Sequence, residues 1–191
     1  GLSKVIAGMT MSLDGFVHDQ EGSVARLYPD FAEMSSSELM QAQIRSTGAV
    51  VMGRRTYEMA EDPDTYADSY EYQVPIFVVT KWAPEKLPKQ NDRLTFTFVT
   101  GGIESDGIAR AIDLAEAAAG DKDVVVVGGP AVIQECLRRG LVDELQVDIM
   151  PVLLCSGLRL FEHLDEADIK LEKVKVWETP TRTSLQLRVV Q

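Results

Sequence analysis

Three short segments carry the residue types that would bind a phosphorylated ligand. Gly53-Arg54-Arg55-Thr56 follows the apolar run Ala49-Val50-Val51-Met52. A glycine that permits close backbone approach is thus followed by two fixed positive charges and the start of a helix, which suits a diphosphate. Thr80-Lys81 closes a second apolar run, Ile76-Phe77-Val78-Val79, with a hydroxyl and an ammonium. A charge pair at about 4 Å and an effective dielectric of about 20 attracts by about 4 kcal/mol before desolvation, so one lysine there can bias selection of a phosphorylated ribose. Gly128-Gly129-Pro130-Ala131 follows Val124-Val125-Val126-Val127 and lets a ring or a diphosphate lie against bare main chain at a helix start. Each segment alone also reads as an ordinary turn or a surface loop; what separates them from that reading is that all three stand at strand ends.

Other chemistries find no such support. GxGxxG and GxxxxGK[ST] are absent, so neither standard nucleotide fingerprint applies. His18 and His163 are the only histidines, and neither stands in HExxH or another zinc spacing, so no metal site is expected. No GxSxG elbow occurs, and Cys136 and Cys155 lie in apolar surroundings without a CxxC partner, so both are read as core or near-core thiols rather than nucleophiles.

Whole-chain composition narrows the setting. The 191 residues include 45% hydrophobic side chains, and 19 basic against 30 acidic residues give a formal net charge of −11. A chain of this length supports one core without metal or disulfide, so a single domain over residues 1–191 is expected. Strong negative charge disfavours nucleic acid and anionic membranes as partners, and a small molecule is the expected one. Two cysteines, no long apolar run and no signal-peptide pattern lead to the expectation of a cytoplasmic protein.

These segments must be positioned by an alternation of strands and helices. Val5 to Met11 reads as a strand ending at the turn Asp14-Gly15, and Phe31, Met34, Leu39, Met40 and Ile44 fall at helical spacing up to Gly48. The runs before the three segments, with Phe96-Thr97-Phe98-Val99, read as strands covered on both faces. Ile108, Ile112, Ala115 and Ala118 share a helical face between a cap at Ser105 or Asp106 and Gly120; Pro130 opens another helix that ends before Gly140. Leu145, Val147 and Ile149 alternate with polar residues, as do Leu171 to Trp177 and Ser184 to Val190. The expected class is α/β, in three layers, with a mostly parallel central sheet and antiparallel C-terminal strands.

Taken in order, Met11-Ser12-Leu13-Asp14-Gly15-Phe16, Met52-Gly53-Arg54-Arg55-Thr56-Tyr57-Glu58 and Val127-Gly128-Gly129-Pro130-Ala131 resemble the dihydrofolate reductase superfamily. Gly140-Leu141-Val142-Asp143-Glu144-Leu145, Pro151-Val152-Leu153-Leu154 and Gly157-Leu158-Arg159-Leu160-Phe161 resemble, within it, the reductase domain of riboflavin biosynthesis and its stand-alone relatives. The likeness spans essentially the whole chain. It implies a dihydrofolate-reductase-like fold that binds NADPH across the carboxyl edge of its sheet and delivers a hydride to a heterocyclic, pyrimidine or pterin-like, substrate.

The resemblance implies residue roles as well. Gly53, Arg54, Arg55 and Thr56 match the diphosphate turn; Thr80 and Lys81 match the strand end near the adenosine 2'-phosphate; Gly128, Gly129, Pro130 and Ala131 match the turn beneath the cofactor. Ala7, Gly8 and the Asp14-Gly15 loop would border the nicotinamide. Glu38 and Asp14 are the candidate catalytic carboxylates, with Asp30 the alternative donor if the helix starts earlier, Ser37 the alternative occupant of that position, and a solvated face the plain reading of Glu38. No lysine or arginine lies between Tyr57 and Thr80, where a folate reductase needs a cation for its substrate's tail. Arg26, Arg159 and Arg182 are the basic residues available to a phosphorylated substrate. A non-catalytic nucleotide-binding or ligand-sensing protein and a weak dihydrofolate reductase are the competing functions. A homodimer is expected by the same resemblance, the alternating C-terminal strands offering an edge to cover.

Overall fold

The computed structural model describes residues 3–103 and 106–190. Its strands are β1 (Val5–Ser12), β2 (Phe16–His18), β3 (Thr47–Gly53), β4 (Ile76–Thr80), β5 (Phe96–Thr100), β6 (Asp123–Val126), β7 (Glu144–Met150), β8 (Leu158–Arg159), β9 (Lys170–Glu178) and β10 (Thr183–Val190). Eight of them form one sheet in the order β5-β4-β3-β6-β1-β7-β10-β9, and β2 pairs with β8 in a separate ribbon. From β5 to β7 all neighbours run parallel; β10 runs antiparallel to both β7 and β9.

The continuous apolar runs explain the inner strands. Parallel strands joined by crossovers are covered on both faces, so neither side can be polar. In β3, Ala49 and Val51 face one core with α5 (Gly107–Ala119) and α6 (Pro130–Arg138). Val50 and Met52 face the other, where α2 (Glu38–Ser46) contributes Met40 and Ile44. Tyr57 of α3 (Arg54–Glu58) and Tyr66 of α4 (Tyr66–Ser69) join this second core, stacked with ring centroids 5.8 Å apart. The result is a three-layer α/β arrangement with antiparallel C-terminal strands. β9 is exposed along its length except at Trp177 and forms one edge of the sheet.

Two expectations need correction at the level of elements. The helix read from Phe31 to Ile44 is two helices, α1 (Phe31–Ser35) and α2. The break falls at Ser35-Ser36-Ser37, whose hydroxyls donate back to the carbonyls of Phe31, Ala32 and Met34, while Ser37 turns extended and caps α2 by accepting from the Met40 amide. Asp106 stands at the N-cap of α5 but makes no side-chain cap bond; Ser105 lies outside the described residues.

Candidate functional site

The chain steps outward from β1 to β3, β4 and β5, then returns with β6 into the gap between β3 and β1. In an open α/β sheet such a reversal leaves a crevice beyond the carboxyl ends of the strands. The Gly53 amide donates to the Gly128 carbonyl at 2.9 Å, so the turn after β3 touches the turn after β6. Gly128 has φ 133°, a left-handed conformation that favours glycine, and its peptide bond to Gly129 is cis. A Cβ on Gly128 would come within 3.4 Å of the Thr56 hydroxyl and of Met9, and one on Gly129 within 3.6 Å of the same hydroxyl. Thr56 therefore lies against the bare Gly128–Gly129 peptide. Pro130 opens the nine-residue α6, no side chain caps it, and Ala131 is exposed on its first turn, so the leading amides are free to face a ligand.

The cations are less uniform than expected. Arg54 is half exposed and its Nε donates to Glu58 at 2.6 Å, one turn along a helix of only five residues. Arg55 is exposed and has no ion-pair partner among the described residues. At the next strand end, the Thr80 hydroxyl is buried and held by the Trp82 main chain, donating to its carbonyl at 2.9 Å and accepting from its amide at 3.3 Å. Thr80 thus shapes the turn that presents Lys81. The exposed Lys81 side chain runs beside Gly102, and Gly107, the first residue of α5, packs on that turn. Arg110 donates to the Thr100 carbonyl at the end of β5, so α5 sets a further cation on this rim.

Nearer β1 the expected carboxylates turn out to have other tasks. Ala7 is fully buried in the α5/α6 core, and Gly8 faces the other way, where a Cβ would come 2.9 Å from the Gln146 carbonyl. Both admit a ligand only along the main chain. Asp14 accepts from the Ser12 hydroxyl at 2.6 Å and from the Leu154 and Cys155 amides at 3.2 and 2.8 Å. The Ser12 bond leads in lowering its pKa, so at neutral pH it is an ionised clamp between two loops and not a proton donor. Glu38 is 81% exposed and paired with Arg45 at 2.6 Å, so its carboxylate is a solvated helix-end group. Ser37 is the cap of α2.

Asp30 is buried, and its partner is Arg182. The five guanidinium N–H groups of Arg182 meet five acceptors: Asp30 Oδ2 from Nε at 2.8 Å, Asp30 Oδ1 and the Leu27 carbonyl from Nη2 at 2.6 and 3.1 Å, and Thr10 Oγ1 and Asp148 Oδ2 from Nη1 at 3.1 and 3.2 Å. The Thr181 hydroxyl also donates to Asp30, and the Ser184 hydroxyl to Asp148, at 2.7 and 2.6 Å. Arg182, read from sequence as available to a phosphate, has no donor left for one. Arg159 is exposed and sits over the Phe16 ring at 4.5 Å, and Arg26 is exposed on a short helical turn at 25–27.

Several residues escaped the sequence reading. Asp148 and Ser184 join the Arg182 network through cross-strand register, which alternation alone does not fix. Glu71 lies between Tyr70 and Tyr72, and desolvation raises its pKa above the usual carboxylate range. Tyr57, Tyr66, Tyr70 and Tyr72 pack as an aromatic layer with Phe96, which no periodicity in the sequence indicates. Two cavities, of about 330 and 410 Å³, lie elsewhere, lined by His18, Asp19 and Gly157 in one case and by Arg138, His163 and Asp165 in the other. Neither touches the glycine turns, whose crevice is an open rim.

A mostly parallel sheet of this order, with glycine turns after β3 and β6 and antiparallel final strands, is a dihydrofolate-reductase-like fold. Over residues 3–185 the chain matches the family described as RibD C-terminal domain, and it belongs to that family. It is 24% identical over 173 residues to the uncharacterised protein YwjB of Bacillus subtilis strain 168, covering 90% of this chain and 91% of that one. The crystal structure of a "Putative riboflavin biosynthesis protein" from Shewanella sp. PV-4 is similar with a TM-score of 0.75 and 23% identity, covering 98% of this chain and 99% of the other. Dihydrofolate reductase from Enterococcus faecalis, complexed with NADP(H), is similar at a TM-score of 0.59 and 14% identity, covering 98% and 97%.

Proposed function

We propose that this protein is an NADPH-dependent oxidoreductase that transfers a hydride to a small heterocyclic substrate of pyrimidine or pterin type. The observation that carries this reading is the contact between the Gly53–Thr56 turn and the Gly128–Gly129 turn at the sheet reversal, with Arg55 and Lys81 along the same rim. From the end of β4 to the end of β1 is three strand spacings, about 14 Å, a span that suits an extended dinucleotide. Membership of the RibD C-terminal domain family and the likeness to a reductase complexed with NADP(H) support the same reading.

When bound, NADPH supplies the hydride; the chain's own work is to seat, orient and keep out water. Thr56, Gly128, Gly129 and the open start of α6 would hold the diphosphate, and Arg54, Arg55 and Lys81 would offset its charge. The proton must come from a group other than Asp14, Glu38 or Asp30, all of which are committed elsewhere.

Titration with NADPH and NADH tests the reading. NADPH is expected to bind with a dissociation constant between about 1 μM and 1 mM, and Lys81→Ala to weaken NADPH by about tenfold while leaving NADH unchanged, a loss of one charge-assisted contact. If neither nucleotide binds, the proposal is wrong; if Lys81→Ala preserves the preference, Lys81 does not read the 2'-phosphate. The commitment of all three carboxylates favours one competing reading, a nucleotide-binding or ligand-sensing protein without turnover. Sustained NADPH oxidation with any of a panel of pyrimidines, pterins and flavin-like compounds excludes it.

A further inference from the structure

The sheet face turned toward α2 is polar where β1, β7 and β10 meet. Three cross-strand rows run there: Thr10, Asp148, Ser184; Gly8, Gln146, Gln186; and Ile6, Glu144, Arg188. The opposite face of the same strands is apolar, with Met9, Met11, Leu145, Val147, Ile149 and Leu187 in the core. Gln146, Asp148 and Gln186 are only half-buried, so this polar face is reached by solvent. In the first row Thr10 stands one strand spacing from β6 and Asp148 two, about 10 Å.

Resting on the reductase reading above, we infer that the substrate is an unphosphorylated heterocycle, neutral or positively charged, whose N–H groups are accepted by Asp148 and Gln146. Among the described residues Arg182 is the one buried cation, and each of its N–H donors already has an acceptor. Its single charge stands against Asp30 and Asp148, which leaves the cluster with a formal charge of −1. A phosphate placed beside it would meet repulsion and no free guanidinium donor.

Asp148 has the opposite capability. A carboxylate offers about four lone-pair sites. Only two are taken here, by Ser184 and Arg182, and 16% of the side chain is exposed. Asp30 is closed by contrast, accepting three bonds with 3% of its side chain exposed. Among the described residues the Gln146 carboxamide donates only a long bond, 3.5 Å to Ser184, and its oxygen accepts none. Two half-open acceptors on neighbouring rows form an edge suited to an amino-substituted ring. Asp148 is thus assigned as a specificity-determining residue, in a position where hydrogen bonding can also favour positive charge on the ring.

Isothermal titration of the protein saturated with NADP+, using cytidine and cytidine 5'-monophosphate as matched probes, tests the inference. Cytidine is expected to bind at least about tenfold more tightly than its phosphate ester. Asp148→Asn should weaken cytidine and bring that ratio toward one. Gln146→Leu, which touches neither Arg182 nor Asp30 and removes only a long bond to Ser184, should weaken cytidine several-fold and preserve the ratio, so a folding defect in the Asn variant does not decide the matter. If NADP+ binds but the phosphate ester binds as well as cytidine, or neither probe binds, the inference is overturned while the reductase reading stands. If NADP+ itself does not bind, both fall together.

Discussion

Arg182 joins positions 152 residues apart, and no local pattern in the sequence announces it. The strand-end segments were legible because glycine, cation and apolar run are neighbours in the chain; the Asp30–Arg182 pair depends on a hairpin register that no nearby residue dictates. Arg182→Met is expected to lower stability in urea by about 3–5 kcal/mol, because Asp30 remains buried, and Asp148 half-buried, without a counter-charge. Adding Asp30→Asn should recover part of that loss, and a single-variant cost under about 1 kcal/mol would show that the network contributes little. The same pair sets an acid limit. The Arg182 hydrogen bonds hold Asp30 below its ordinary value of 3.8, against the opposing effect of burial. A carboxyl with a lowered folded pKa adds stability that is full above the unfolded value and fades as pH falls through the folded one. Wild-type stability should therefore fall more steeply below about pH 4 than that of Asp30→Asn, measured as urea midpoints from pH 6 to 3. The thiols differ just as plainly. Burial pushes Cys136 up to about 12, while Cys155 is exposed. An aromatic disulfide reagent should titrate one thiol per native chain, and a second only after denaturation.

At the scale of elements, the parallel strands and both long helices follow from apolar runs and periodicity, which the fold leaves almost unchanged. The break between α1 and α2 does not, because three serines that are weakly compatible with a helix become helix-stopping only when each hydroxyl returns to a carbonyl. This break places Glu38 at the exposed first turn of α2, which is why a carboxylate sensible on a continuous helix fails as a donor. The rim at β4 and β5 offers a test of how elements set cation positions. Gly107 starts α5 so close to the turn at Gly102 that a Cβ would come 2.4 Å from the Gly102 carbonyl oxygen. Gly107→Ala must push α5 off that turn, and the expected cost is about 1–3 kcal/mol, typical of overpacking. Because Lys81 lies along the same turn, NADPH affinity should fall as well, while Gly120→Ala, far from the rim and with nothing near its Cβ, should lower stability through its positive φ and leave affinity alone. Equal effects of both on NADPH binding would separate the rim from the cofactor.

Across the whole molecule, a net charge of −11 surrounds the rim proposed to receive NADPH, an anion. A folded chain of 191 residues has a radius of gyration of about 16 Å. At 0.01 M salt the Debye length is about 30 Å, so an approaching nucleotide feels the entire negative surface; at 0.15 M it is about 8 Å, and only the nearest charges count. Arg55 and Lys81 then act at contact distance while the distant carboxylates are screened. The association rate of NADPH should accordingly rise with ionic strength between those limits, by up to about tenfold, opposite to the trend for a protein that steers its anion by overall charge. Lys81→Ala should keep the upward slope, since the slope reports the surface as a whole, and should mainly raise the dissociation rate, since that rate reports the contact. Stopped-flow fluorescence over a salt series measures both. A rate that falls with added salt would mean that the cations of the rim dominate the field at long range, and that the composition of the chain says less about its ligand encounter than the few residues at its strand ends.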